Sequence, residues 1–110
     1  RRDFVYVGDV VRVNLHFFEH GGESGIYNCG TGVAHSYNEA ARAVIAALGK
    51  GKIVYRDFPE VLRGKYQNYT QADTTALLAA GYDGGFTPME EAVKEYCDFL
   101  TAGGYFPYAE

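Results

Sequence analysis

The residues best suited to chemistry in this chain are two arginines, Arg1 and Arg2, set directly before the strand-like run Asp3-Phe4-Val5-Tyr6-Val7. A guanidinium at a sheet edge can present a planar pair of N–H donors to a phosphate. A second group, Arg63, Lys65 and Tyr66, joins two cations to a phenol and suits an anionic or sugar-bearing ligand. Residue chemistry alone leaves a plainer reading open for both groups: solvated cations and an ordinary packed tyrosine. Gly30-Thr31-Gly32 follows one strand-like run and precedes a helix-like one, which is the setting of a dinucleotide-binding turn. That motif needs a third small residue where His35 stands, so the turn reads as a plain tight turn. His16 and His20 are four apart, yet no glutamate follows His16 and no third ligand is evident, so surface histidines are the simpler reading. A Gly-x-Ser-x-Gly elbow is absent. Glu90 and Glu91 fall on the solvated face of a helix, the ordinary use of such charges.

These groups need elements to position them, and the pattern alternates strands with helices. Asp3–Val7, Gly25–Cys29 and Lys52–Asp57 read as strands. Asp9 is expected to cap a helix that runs to His20 and stops at Gly21-Gly22, with Arg12, His16 and Glu19 on one face. The same helix carries a wide apolar arc (Val10, Val11, Val13, Leu15, Phe17, Phe18), which calls for cover on more than one side. Asn14 falls inside that arc and so needs a buried partner.

Ser36-Tyr37-Asn38-Glu39 fits a capping box at the head of an alanine-rich helix that ends near Gly49, with Ala41, Ile45 and Leu48 on one stripe. Residues 59–70 read as an irregular, partly basic loop. Asp73 is expected to cap a short helix ended by Gly81. Thr87-Pro88-Met89-Glu90 reads as another capping box, for a helix with Met89, Val93, Tyr96 and Leu100 at apolar spacing. The aromatic tail, 103–110, either docks or frays. The fold class that results is α/β.

With 110 residues the chain is long enough for one compact domain, and 47% apolar residues supply a core rather than a disordered tail. A net charge of -4 gives no electrostatic reason to expect nucleic acid. No apolar run is long enough to span a membrane, and the opening residues do not read as a signal peptide. Cys29 and Cys97 lack metal-type spacing and are expected to be two buried thiols in a reducing cytoplasm. The chain opens without methionine and runs straight into a strand-like segment, which suggests a fragment.

Three stretches resemble the extended short-chain dehydrogenases/reductases that act on nucleotide sugars. Arg2 to Val10 looks like that family's arginine-led strand-to-helix element. Tyr27-Asn28-Cys29-Gly30-Thr31-Gly32, followed by Ser36 and Glu39, is similar to its N-x-G-x-G…S-x-x-E element. Ala72-Asp73, then Gly81-Tyr82 and Thr87-Pro88-Met89, resemble its C-terminal region. The stretch from Phe58-Pro59 through Leu62-Arg63-Gly64-Lys65-Tyr66-Gln67 to Asp73 is similar to a loop of members acting on ADP-linked sugars. His35 and the extra residue in Gly21-Gly22-Glu23 depart from the pattern.

The resemblance implies an NADP-dependent epimerase of which residues 1–110 are the C-terminal, substrate-side region. The Rossmann-type cofactor domain would be mostly missing, with a smaller substrate-binding domain present. Residues 9–29 would pack with that missing N-terminal NADP-binding domain, so the chain would hold parts of two domains. Arg2 would contact the diphosphate of an ADP-sugar, and Tyr66 would contact the substrate. The family's Tyr-x-x-x-Lys pair and cofactor loop have no counterpart here, so no catalytic or cofactor-binding residue carries over and the fragment alone would be inactive. A homo-oligomer is implied for the full-length form. Two alternatives remain: another nucleotide-sugar epimerase or dehydratase, and a non-catalytic nucleotide-sugar-binding module.

Overall fold

A computed structural model describes residues 1–103; the tail from 104 onward lies outside the described residues, and with it the question of docking or fraying. Four helices carry the architecture: α1 (Val7–His20), α2 (Tyr37–Leu48), the short α3 (Thr75–Ala79) and α4 (Met89–Thr101). A single 3-10 turn, Glu60–Leu62, interrupts the long loop before α3.

The expected α/β layering does not appear, because among the described residues no strand forms. Among the described residues the runs 3–7, 25–29 and 52–57 have no backbone ladder partner, and the last two residues of the first run already belong to α1 or its cap. Pairing is confined to one isolated antiparallel bridge, Arg2 with His35. A strand exists only with a partner whose N–H and C=O groups complete its ladder, so β-propensity alone leaves these runs merely extended.

One carboxylate accounts for two further departures. Asp9 does not cap α1; Tyr6 sits at the N-cap and Asp9 lies inside the first turn. Asp9 is 1% exposed and accepts hydrogen bonds from the Thr87 N–H at 2.8 Å and the Thr87 hydroxyl at 2.7 Å, and it also pairs with Arg12. Since the Thr87 hydroxyl is committed to Asp9, the expected Thr87–Glu90 box does not form and Pro88 stands at the N-cap of α4. The heads of α1 and α4 are thereby tied together.

The Ser36 box forms as expected. The Ser36 hydroxyl accepts from the Glu39 N–H at 3.1 Å, and Glu39 accepts from the Ser36 N–H at 2.6 Å. Gly49 ends α2 in the left-handed region, at φ 72°. Asp73 acts one residue further from α3 than expected, accepting from the Thr75 N–H and hydroxyl while Thr74 occupies the cap.

The core is small: Val13 of α1, Leu77 of α3 and Tyr82, with Phe17, Tyr27, Cys29 and Phe86 packed around them. A second contact layer joins α2 to α4. The buried residue of α2 is Ala43 rather than the Ala41–Ile45–Leu48 stripe, and α4 buries Met89, Ala92 and Cys97 while Tyr96 and Leu100 stay exposed. Ala43, Ala92 and Cys97 are the small side chains buried on these two helices. Asn14 has no buried partner; it is exposed, and its amide donates to the Val10 carbonyl of its own helix. The exposed side of α1 includes Val11, Leu15 and Phe18.

Candidate functional site

The His35-Ser36-Tyr37 tripeptide grips Arg2 twice. His35 pairs with the Arg2 backbone in both directions, N–H to carbonyl, at 2.8 Å each way. Two residues on, Tyr37 is the first residue of α2, where the Ser36–Glu39 box fixes the chain. The Arg2 Nε–H donates to the Tyr37 hydroxyl at 3.2 Å.

From the other side the long loop closes in. An Nη of Arg2 donates to the Gln67 carbonyl, and the guanidinium carbon lies 4.8 Å from the Tyr66 ring centroid, a cation–π arrangement. The Tyr66 and Tyr37 hydroxyls share a hydrogen bond at 2.8 Å. Phe58 packs edge-on against Tyr66 at 5.7 Å, and Phe4 packs edge-on against Tyr37 at 5.8 Å. The Thr70 N–H donates to the Arg1 carbonyl, which ties the loop to the start of the chain.

Arg2 and Tyr66, the two residues singled out in the sequence, are thus in contact. Arg63 and Lys65 are exposed in the same loop, and among the described residues neither side chain is hydrogen-bonded to the Arg2 cluster. Arg1 directs its guanidinium to the Ala34 carbonyl at 3.4 Å. Tyr37 was not legible as a site residue, because its position inside a capping box marks it as a helix start and nothing more.

The cluster is polarised. The Tyr37 hydroxyl holds the Arg2 guanidinium above its ordinary range. The hydrogen bond from Tyr66, and then that from Arg2, pull the Tyr37 phenol below the usual tyrosine range. A fixed guanidinium among four exposed or half-exposed phenyl and phenol rings is suited to an anion that also carries an apolar or sugar face.

Beside Arg2, Asp3 answers the question of the glycine turn. Its carboxylate accepts from the Thr31 N–H at 2.9 Å, the Thr31 hydroxyl at 2.6 Å, the Gly32 N–H at 2.8 Å and the Ala72 N–H at 3.1 Å. The turn's N–H groups therefore already hold an internal anion and do not fit the pyrophosphate of a dinucleotide. Gly30 and Gly32 serve this packing: a Cβ on Gly30 would stand 2.6 Å from the Ala72 Cβ, and Gly32 has φ 78°.

The other candidates lie elsewhere. The His16 and His20 rings lie 4.9 Å apart and tilted, and among the described residues no group of three His, Cys, Asp or Glu is arranged to hold a metal. Cys29 is half-buried and Cys97 buried, both as free thiols, with burial pushing Cys29 up. A cleft of about 490 Å³ is lined mainly by apolar residues of the 4–7 segment, α2 and α4, and offers a packing surface rather than convergent polar groups. Among the described residues no helix is long and apolar enough to cross a membrane.

Arg2, Asp3, α1 and Gly30 all fall within residues 1–30, which match the NAD dependent epimerase/dehydratase family.

Proposed function

We propose that this chain is the C-terminal, substrate-side region of an NADP-dependent nucleotide-sugar epimerase, with Arg2 contacting the diphosphate of an ADP-sugar and Tyr66 contacting the substrate. The observation that carries the reading is the Arg2 guanidinium, held by Tyr37, Tyr66 and Gln67, inside the stretch that matches the epimerase/dehydratase family. A diphosphate favours a planar paired donor, which arginine supplies and lysine does not.

The finer reading is an ADP-glyceromanno-heptose 6-epimerase, interconverting ADP-D-glycero- and ADP-L-glycero-D-manno-heptose for the lipopolysaccharide core. Its support is the loop carrying the finer likeness: Tyr66, Gln67 and Thr70 of that loop all meet residues 1–3. NADP would be held by residues outside this chain, since the glycine turn is committed to Asp3. The full-length protein is read as a cytoplasmic homo-oligomer, in keeping with two free thiols. Residues 9–29 would pack against the cofactor domain, in keeping with the exposed apolar side of α1. The committed turn N–H groups and the missing Tyr-x-x-x-Lys pair favour one second reading, a non-catalytic nucleotide-sugar-binding module.

Calorimetric titration of ADP into the chain tests the shared core of both readings. Arg2→Ala removes at least one charge-assisted contact of roughly 1.5–3 kcal/mol, so affinity falls about tenfold to a hundredfold. A folded Arg2→Ala protein that binds ADP like wild type removes the phosphate role.

A further inference from the structure

We propose that Tyr37 is a positioning residue for the anion site: its hydroxyl fixes the rotation of the Arg2 fork and turns the free edge of the guanidinium toward a diphosphate ester. This rests on the proposed role of Arg2. A guanidinium carries five N–H donors in one plane. Here Nε–H is taken by Tyr37 and one Nη2–H by the Gln67 carbonyl, so the two donors along one side of the fork are occupied internally. Among the described residues both hydrogens of Nη1 and the second of Nη2 meet no acceptor, and those at the end of the fork form a parallel pair suited to two phosphoryl oxygens.

Three contacts define the orientation of that plane. The Tyr66 ring supports its face, the Gln67 carbonyl holds one corner and the Tyr37 hydroxyl holds Nε. Tyr37 holds Nε and also shares a hydrogen bond with the Tyr66 hydroxyl, so losing its hydroxyl would release the edge and loosen the supporting ring together. Tyr37 is itself fixed from below by the Ser36–Glu39 box, and His35 fixes the backbone of Arg2. A side chain whose rotation is settled before the ligand arrives loses less freedom on binding.

A double-mutant cycle reads the coupling. ADP is titrated into the whole chain as wild type, Tyr37→Phe, Arg2→Lys and the double variant, with Arg2→Ala as the reference for the site itself and circular dichroism to follow the fold. Tyr37→Phe keeps the ring and removes one hydroxyl, and affinity for ADP is expected to fall roughly threefold to tenfold. Lysine has no Nε–H for Tyr37 to hold, so in the Arg2→Lys background the same substitution is expected to change affinity by less than about twofold. An equal loss in both backgrounds overturns the positioning role in favour of a merely structural one. Unchanged affinity in Tyr37→Phe while Arg2→Ala loses binding overturns the positioning role and leaves the Arg2 site standing. Unchanged affinity in both overturns the Arg2 site and this inference with it.

Discussion

Asp3 and Arg2 are adjacent in sequence and serve opposite ends, one drawing the chain inward and the other facing out. Burial alone would push the Asp3 carboxyl up, but the Thr31 hydroxyl and the N–H groups of Ala72, Thr31 and Gly32 together hold it below the usual carboxylate range. A carboxyl whose folded pKa is depressed stabilises the fold above its unfolded value, and that contribution is lost as pH falls through the folded value. Asp3→Asn is therefore expected to melt below wild type at neutral pH, with the gap closing on acidification from the ordinary carboxylate range downward. Glu39 and Asp73 are depressed too, but they are present in both proteins and cancel in the difference. Melting midpoints at several pH values check this, and a gap independent of pH would contradict it. The role of Asp3 could not be read from the sequence, because its partners are 28 to 69 residues away. Arg2 and Tyr66 were singled out from the sequence by residue type and resemblance, and the structure shows them in contact.

Helices were legible at the scale of elements because their bonds and caps are local. The Ser36–Glu39 box and the Gly49 stop required only neighbours within four residues, and both formed. Strands were not, since 3–7, 25–29 and 52–57 depend on partners that among the described residues they lack. Asp9 and Thr87 failed as local caps for the same reason: each found the other across 78 positions. The 30–32 turn sits between these cases, local in its glycines and long-range in its contacts. Gly30→Ala forces its Cβ to within 2.6 Å of the Ala72 Cβ and 2.9 Å of an Asp3 carboxylate oxygen. Overpacking of that kind costs about 1–3 kcal/mol. Gly25→Ala is the comparison, since its nearest neighbour would be Tyr27 at 4.0 Å, and denaturant unfolding should leave its midpoint close to wild type. Equal midpoints for both variants would mean that the Gly30 approach relaxes freely and that the turn is not what holds Asp3.

At the scale of the whole molecule, uncovered apolar surface among the described residues gathers on α1, where Val11 (51% exposed), Leu15 (49%) and Phe18 (87%) follow one another at helical spacing. Ile26, beyond the helix, is 99% exposed. The inner side of the same helix supplies Val13 and Phe17 to the core, so the arc read from the sequence is real but only half covered. Burying one large aliphatic or aromatic side chain is worth roughly 1.5–3 kcal/mol, and a contiguous row of three gives a strong drive to find cover. Isolated chains are therefore expected to associate through α1, with sedimentation velocity showing a mass that rises with concentration. Leu15→Lys combined with Phe18→Lys places two charges on that row and should return the protein to a monomer, with its helix content unchanged because neither residue belongs to the core. Hydrogen exchange supplies the second reading: protection of residues 10–18 should increase with concentration in wild type and stay flat in the double variant. A wild-type chain that remains monomeric at high concentration, with α1 fully protected, would mean that the apolar row needs no partner and that residues 9–29 do not await a second domain.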